Sequence, residues 1–165
     1  MSKRIMASAI RQGGMALATV AGLSVLLAAQ GAGGPALHEL ARIEFVVIVN
    51  ESNPMTDIGR DDLSKIFLKR STSWPSGKTI VPVDLPIEDA SRDAFSRAVL
   101  HKTINAVRAY WQQQIFSGRD VPPVEKSSEA EVLTAVKSEA DAIGYVSAAS
   151  ILPPGVKRLT VLGIE

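Results

Sequence analysis

Apolar and polar positions follow two different rhythms along this chain. "IEFVVIVN" (Ile43 to Asn50) is an almost unbroken β-branched run closed by the turn-forming "ESNP". With apolar residues on both faces, it predicts a strand buried inside an α/β sheet. In "GRDDLSKIFLK" the apolar positions shift to Leu63, Ile66 and Phe67, a helical spacing with acids in the first turn, where the positive end of a helix dipole favours them. "RSTSWPSGK" is turn chemistry around Pro75 and Gly77. "TIVPVDL" (Thr79 to Leu85) predicts a second strand. Its Pro82 implies an edge or an irregular end, because proline cannot donate to a ladder.

Three helical patterns follow. Phe95, Ala98 and Val99 mark the buried face of a helix from about Ser91 to His101. "TINAVRAYWQQQIFSG" places Ile104, Val107, Trp111 and Ile115 on one stripe, and Gly118 stops it. "RDVPPVEK" reads as a loop. "SSEAEVLTAVKSEA" opens with Ser127 or Ser128 as N-cap, with Glu131 placed for a capping box with Ser128 and an apolar face of Val132, Leu133 and Val136. "AIGYVS" (Ala142 to Ser147) and "GVKRLTVLGI" predict two more strands. The order strand, helix, strand, three helices, strand, strand is α/β, with helices covering a mixed or mostly parallel sheet.

The beginning of the chain changes the charge picture. Lys3, Arg4 and Arg11 precede "MALATVAGLSVLLAA" (Met15 to Ala29), an uncharged apolar run of 15 residues followed by small residues. This is the layout of a secretory signal peptide, and the run is shorter than the roughly 20 residues of a spanning helix; an uncleaved anchor is the other reading. The expected organisation is a signal peptide with its small-residue tail over 1–32, a flexible segment over 33–42 and one domain over 43–165, exported to the periplasm. Three of the 18 cations lie in the leader, so 15 remain against 17 acids and the net charge moves from +1 to −2. That balance lacks the basic footprint of a nucleic-acid-binding protein. With no cysteine, disulfides, thiolate metal sites and cysteine nucleophiles are excluded.

Catalytic motifs are missing as well. The sequence has no HExxH, Gly-x-Ser-x-Gly, P-loop or dinucleotide-binding glycine pattern. Ser91 and His101 are ten residues apart; on one helix that is about three turns along the axis, and they cannot pair. We therefore expect a binding protein rather than an enzyme, with no cofactor and no metal. Asp84, Glu88, Asp89 and Asp93 cluster ahead of or within a first helical turn. There they support the dipole, and one of them could accept a hydrogen bond from a protonated oxyanion. Ser91 and Arg92 stand where that helix begins. They read either as an N-cap beside a solvated arginine or as an anion site, with free N–H groups, a hydroxyl and a guanidinium fork. The hydroxyl-rich turns "NESNP" and "KSSEA" also lie at strand ends or helix starts, which in open α/β sheets gather at the carboxyl edge.

"VVIVNESNPMTDIGRDDLSKIFLKRSTSWPSGKTIVPVDL" and "DAIGYVSAASILPPGVKRLTVLG" resemble the phosphate-binding component of phosphate ABC transporters, members of the type 2 periplasmic binding fold. The shared pattern is a strand ending near Asn-Pro, a helix close to "LxxIFxG", then "W..G..I..V", and later "AIGYV". "RAYWQQQIFSGRDVPP" is similar to short, single-domain members. The resemblance runs from Ile43 to Gly163. It implies a single lobe of that fold, a mixed sheet flanked by helices, with phosphate or a similar oxyanion as ligand, possible roles in transport or sensing, and a membrane transporter or a second copy as partner. In the family a Ser-Gly-Thr turn at a helix head holds phosphate, with an arginine shortly before it. The triplet falls on Asp89, Ala90 and Ser91, of which only Ser91 keeps a hydroxyl. The upstream arginine falls near Leu85 and is absent; Arg92 would clamp from the other side. The expected ligand-binding set is Ser91, Arg92, Asp89, Ser52 and Asn53. Classical members close two lobes on the ligand, whereas one lobe leaves an anion in water, where attraction is weak; a dimer would supply the missing wall. The alternative is an interaction module of the same fold that binds no ligand and docks a membrane or secretion partner.

Overall fold

The computed structural model describes residues 44–164. The leader, the segment expected to be flexible and Ile43 lie outside the described residues. Strand β1 (Phe45–Asn50) is followed by β2 (Asp57–Gly59), helix α1 (Arg60–Phe67), β3 (Val81–Asp84), α2 (Ala90–Ala98) and α3 (Ile104–Phe116). Then come β4 (Val124–Glu125), α4 (Glu129–Ser138), β5 (Ala142–Ser147) and β6 (Val156–Leu162). The strands form one six-stranded mixed sheet in the order β2-β6-β1-β5-β3-β4. β1 pairs antiparallel with both β5 and β6, while the β2–β6, β3–β5 and β3–β4 pairs are parallel. Only β1 therefore runs against the other five.

The buried residues of β1 explain its central place. Phe45, Val47, Ile48 and Val49 are all enclosed, so both faces of the strand are covered, as its unbroken apolar run requires. On one face Phe95 of α2 stacks on Tyr145 of β5, with centroids 4.0 Å apart and planes at 1°. Phe45 and Phe67 complete that aromatic cluster. On the other face Val132 and Val136 of α4 press onto Gly144, where an added Cβ would stand 2.8 Å from Val132 Cγ1. Glycine is needed there for close approach of helix and strand.

Several element expectations are revised. β3 is not an edge strand, because β4 pairs with it through Val83 and Asp84, past Pro82. "RDVPPVEK" thus holds a strand instead of being all loop. α2 ends at Ala98, and His101 has left the helix with a φ of 50°. Ile115 does not join Val107 and Trp111 in the core and is exposed. Ser128 is the N-cap of α4, and its side chain accepts from Glu131 N–H; the Glu131 carboxylate reaches back to Ser127 N–H instead of Ser128.

Candidate functional site

β3, β4 and β5 run the same way, and their last residues are Asp84, Glu125 and Ser147. These three polar residues meet at one edge of the sheet. α2 begins there after β3, and α4 begins there after β4. In open α/β sheets, ligands sit outside the carboxyl ends of the strands, so this edge is the natural place for a site.

The first turn of α2 is capped by Asp89, whose Oδ1 accepts from Ser91 N–H at 2.8 Å. Of the two readings of Ser91, the N-cap role falls instead to Asp89; aspartate serves equally well and frees the serine hydroxyl. Buried Ser91 uses it across the edge, where Oγ donates to Glu129 Oε1 at 3.0 Å. Glu129 is the first residue of α4. Its carboxylate also accepts from Ser147 N–H at 2.6 Å and from the Ser150 hydroxyl. Two hydroxyls and one backbone N–H thus converge on one carboxylate.

Arg92, next to Ser91, turns inward. It is buried, with Nη2 3.1 Å from Asp84 Oδ2 and Nη1 2.7 Å from Glu125 Oε2, and it donates to the Leu85 carbonyl. Asp84 accepts in addition from the Tyr145 hydroxyl and from Leu85 N–H. Burial pushes the Asp84 carboxyl above its ordinary range, even though Arg92 pulls it down. Burial, and then the adjoining Asp84 charge, drive the Tyr145 phenol well above its ordinary value. The guanidinium expected to clamp a ligand is engaged by two carboxylates and a carbonyl. It ties the end of β3 to the start of α2. Beside it, Ile87, Trp111 and Glu125 border a shallow groove of about 220 Å³.

Ser52 and Asn53 lie elsewhere. Because β1 is reversed, its carboxyl end adjoins the amino ends of β3 and β5, roughly 15–20 Å away along a six-residue strand. Asn50 Nδ2 donates to the carbonyls of Val136 and Lys137 at the end of α4, and its Oδ1 accepts from the N–H and hydroxyl of Ser52. Asn53 is buried, and its Oδ1 accepts from Met55 N–H. Both residues border a separate cavity of about 200 Å³ with Trp74 and Lys78. One oxyanion cannot touch both groups. The structure brings together Asp89, Ser91 and Arg92 and leaves Ser52 and Asn53 apart from them. Sequence could not show this, since a strand's direction leaves no mark in its own residues.

Glu129, Ser147 and Ser150 escaped the sequence reading for a similar reason. Glu129 finds its partners 38, 18 and 21 residues away, and no local motif encodes such distances. The one available signal was the turn "KSSEA", which was placed at a helix start. Among the described residues, no group of His, Cys, Asp or Glu side chains converges as a metal site.

A family model described as a PBP superfamily domain matches residues 13–162. The chain belongs to this family. No curated protein sequence matches it significantly. Solved structures that share the fold of this PBP-superfamily chain include a candidate phosphate ABC transporter substrate-binding protein from Clostridium perfringens with bound phosphate. That one has 21% identity and a TM-score of 0.59, over 74% of this chain and 46% of the other. An ABC-type phosphate transport receptor from Vibrio cholerae aligns at 20% identity and TM-score 0.57, over 74% and 47%. PstS from Borrelia burgdorferi aligns at 16% and 0.55, over 74% and 48%. The PBP-superfamily chain spans less than half the length of each. At these identities the likeness establishes the fold.

Proposed function

We propose that this PBP-superfamily domain is a solute-binding domain that recognises phosphate or a chemically similar oxyanion in the periplasm after export, for transport or sensing. One observation carries the reading: the Ser91 hydroxyl, the Ser150 hydroxyl and the Ser147 N–H converge on a single anionic group at the carboxyl edge of the sheet. Donors of this kind are what an oxyanion needs. The phosphate bound by a protein of the same fold supports the choice of ligand. Ser91 would bind directly. Asp89 would hold the helix start, and Arg92 would fix the position of Ser91 from inside the ion-paired junction. Carboxylates at this edge would favour an oxyanion that keeps a proton to donate. A membrane transporter is the partner that this role implies.

Amide chemical shifts of Ser91, Ser147 and Ser150 should move saturably with phosphate, and sulfate, which keeps no proton to donate, should compete only weakly. A folded sample whose site resonances ignore millimolar phosphate, while remote amides respond only to ionic strength, would remove the reading.

A second reading has its own observation. Phe116 is 90% exposed at the end of α3, and Ile115 before it, Val121 in the loop that follows and Val124 on edge strand β4 are exposed as well. Contiguous exposed apolar residues mark contact surfaces. An interaction module would use this patch to dock a membrane or secretion partner, and Phe116→Ser would then abolish partner capture without touching the sheet edge.

A further inference from the structure

We propose that Glu129 is the chain's own occupant of the anion seat, so that its carboxylate and an external oxyanion exclude one another. This rests on the oxyanion reading for the identity of the outside ligand. Evidence for the seat itself is the convergence of donors. Ser91 comes from α2, Ser147 from the end of β5, and Ser150 from the turn after it; all three spend their hydrogen on Glu129. A serine hydroxyl and a backbone N–H each have one hydrogen to give, so the same set cannot fully serve a second anion.

Glu129 is not needed there to finish its own helix. Ser128 already caps α4 by accepting from Glu131 N–H. Nor, among the described residues, does a cation hold the carboxylate: its partners there are two hydroxyls and a backbone N–H. Its two oxygens are divided between donors from separate segments. A carboxylate and a tetrahedral oxyanion can both present two acceptor oxygens to such a set. A ligand must therefore swing the Glu129 side chain out, and its affinity is reduced by the stability of the internal contact. Glu129 is thus the residue that sets the threshold for binding.

The test removes the occupant. Glu129→Ala leaves the three donors facing a vacancy of carboxylate shape. Thermal unfolding and titration of the full chain, at matched chloride ionic strength, should then show a saturable rise in Tm with sodium formate, which the wild type lacks, and a rise with phosphate at lower concentrations than the wild type needs. Phosphate should bind at least tenfold more tightly to Glu129→Ala than to the wild type, and adding Ser91→Ala should cancel the gain. If the variant takes formate but not phosphate, the seat stands and the phosphate reading fails. If it binds phosphate no more tightly than the wild type and ignores formate, the exclusion is overturned, and saturable wild-type binding would then keep the phosphate reading alive on its own. Should Glu129→Ala fail to fold, Glu129→Asp, which withdraws the carboxylate by one methylene, must show the same ordering of affinities or the proposal falls.

Discussion

Asp84 Oδ2 lies 3.1 Å from Arg92 Nη2, with the two side chains 11% and 7% exposed. A strand end and a helix start are joined by charges that have little access to water. Removing one partner of such a pair strands the other, at about 3–5 kcal/mol, whereas removing both together is much milder. Arg92→Met should therefore shift the urea midpoint sharply downward. Asp84→Asn/Arg92→Met should recover a large part of that loss, a coupling expected of groups in direct contact. Equal and additive losses in the two single variants would show that the pair is not coupled. Because Arg92 is committed in this way, loss of phosphate binding in an Arg92 variant would not by itself identify a ligand contact.

The same pair carries a pH signature. Burial raises the Asp84 carboxyl above its ordinary value of 3.8, so the folded chain holds this proton more tightly than the unfolded one. The stability linked to Asp84 is full below that unfolded value and is lost as pH rises through the raised folded value. Asp84→Asn cannot titrate at this position and lacks the component. The stability of the wild type minus that of Asp84→Asn should fall as pH is raised from about 4, by about 1.4 kcal/mol for each unit by which the pKa is raised. Denaturant titrations across acidic to neutral pH read this difference directly; a difference that grows with pH would reverse the sign and refute it.

How much of this was legible beforehand divides along a physical line. β1, β5 and β6 were readable as apolar runs rich in β-branched residues, and α1 and α4 because their apolar positions repeat at a helix period and their starts carry local signals such as Ser128 and Glu131. β2 and β4 have three and two residues, too few for any period, and exist only because β6 and β3 offer free edges. Ser91 and Arg92 do lie in the first turn of a helix, as the sequence pattern implied. The roles of their side chains were not legible, since Glu129, Glu125 and Asp84 reach them through the folded sheet. Ser52 and Asn53 looked equivalent to Ser91 as turn residues, and only the reversal of β1 separates them.

Asp89 and Ser91 differ in role though they are two residues apart. Asp89 closes the first turn of α2 by accepting from Ser91 N–H, and losing an N-cap costs about 1 kcal/mol. Asp89→Ala should lose that amount of stability and leave the Glu129 contacts in place. Ser91→Ala keeps the cap and removes the hydroxyl that meets Glu129. Its effect should appear in the amide shift of Ser147, which shares Oε1 of Glu129. A Ser147 resonance that moves in Asp89→Ala but not in Ser91→Ala would contradict this assignment.

Gly144 sets how closely α4 can approach β5. An added Cβ would lie 2.8 Å from Val132 Cγ1 and 3.3 Å from Val136 Cγ2, and both valines are fully buried. Neither can swing into solvent, so Gly144→Ala must push the helix outward. Overpacking of this kind typically costs about 1–3 kcal/mol. Because α4 carries Glu129 at its first turn, the displacement should also disturb the contacts with Ser91 and Ser147. Val132→Ala makes room for the new methyl group. The double variant should therefore be more stable than the sum of the single losses implies, and it should regain the native Ser91 and Ser147 amide shifts. Strict additivity in unfolding experiments, with the shifts still displaced, would mean that Val132 is not the group Gly144 makes room for.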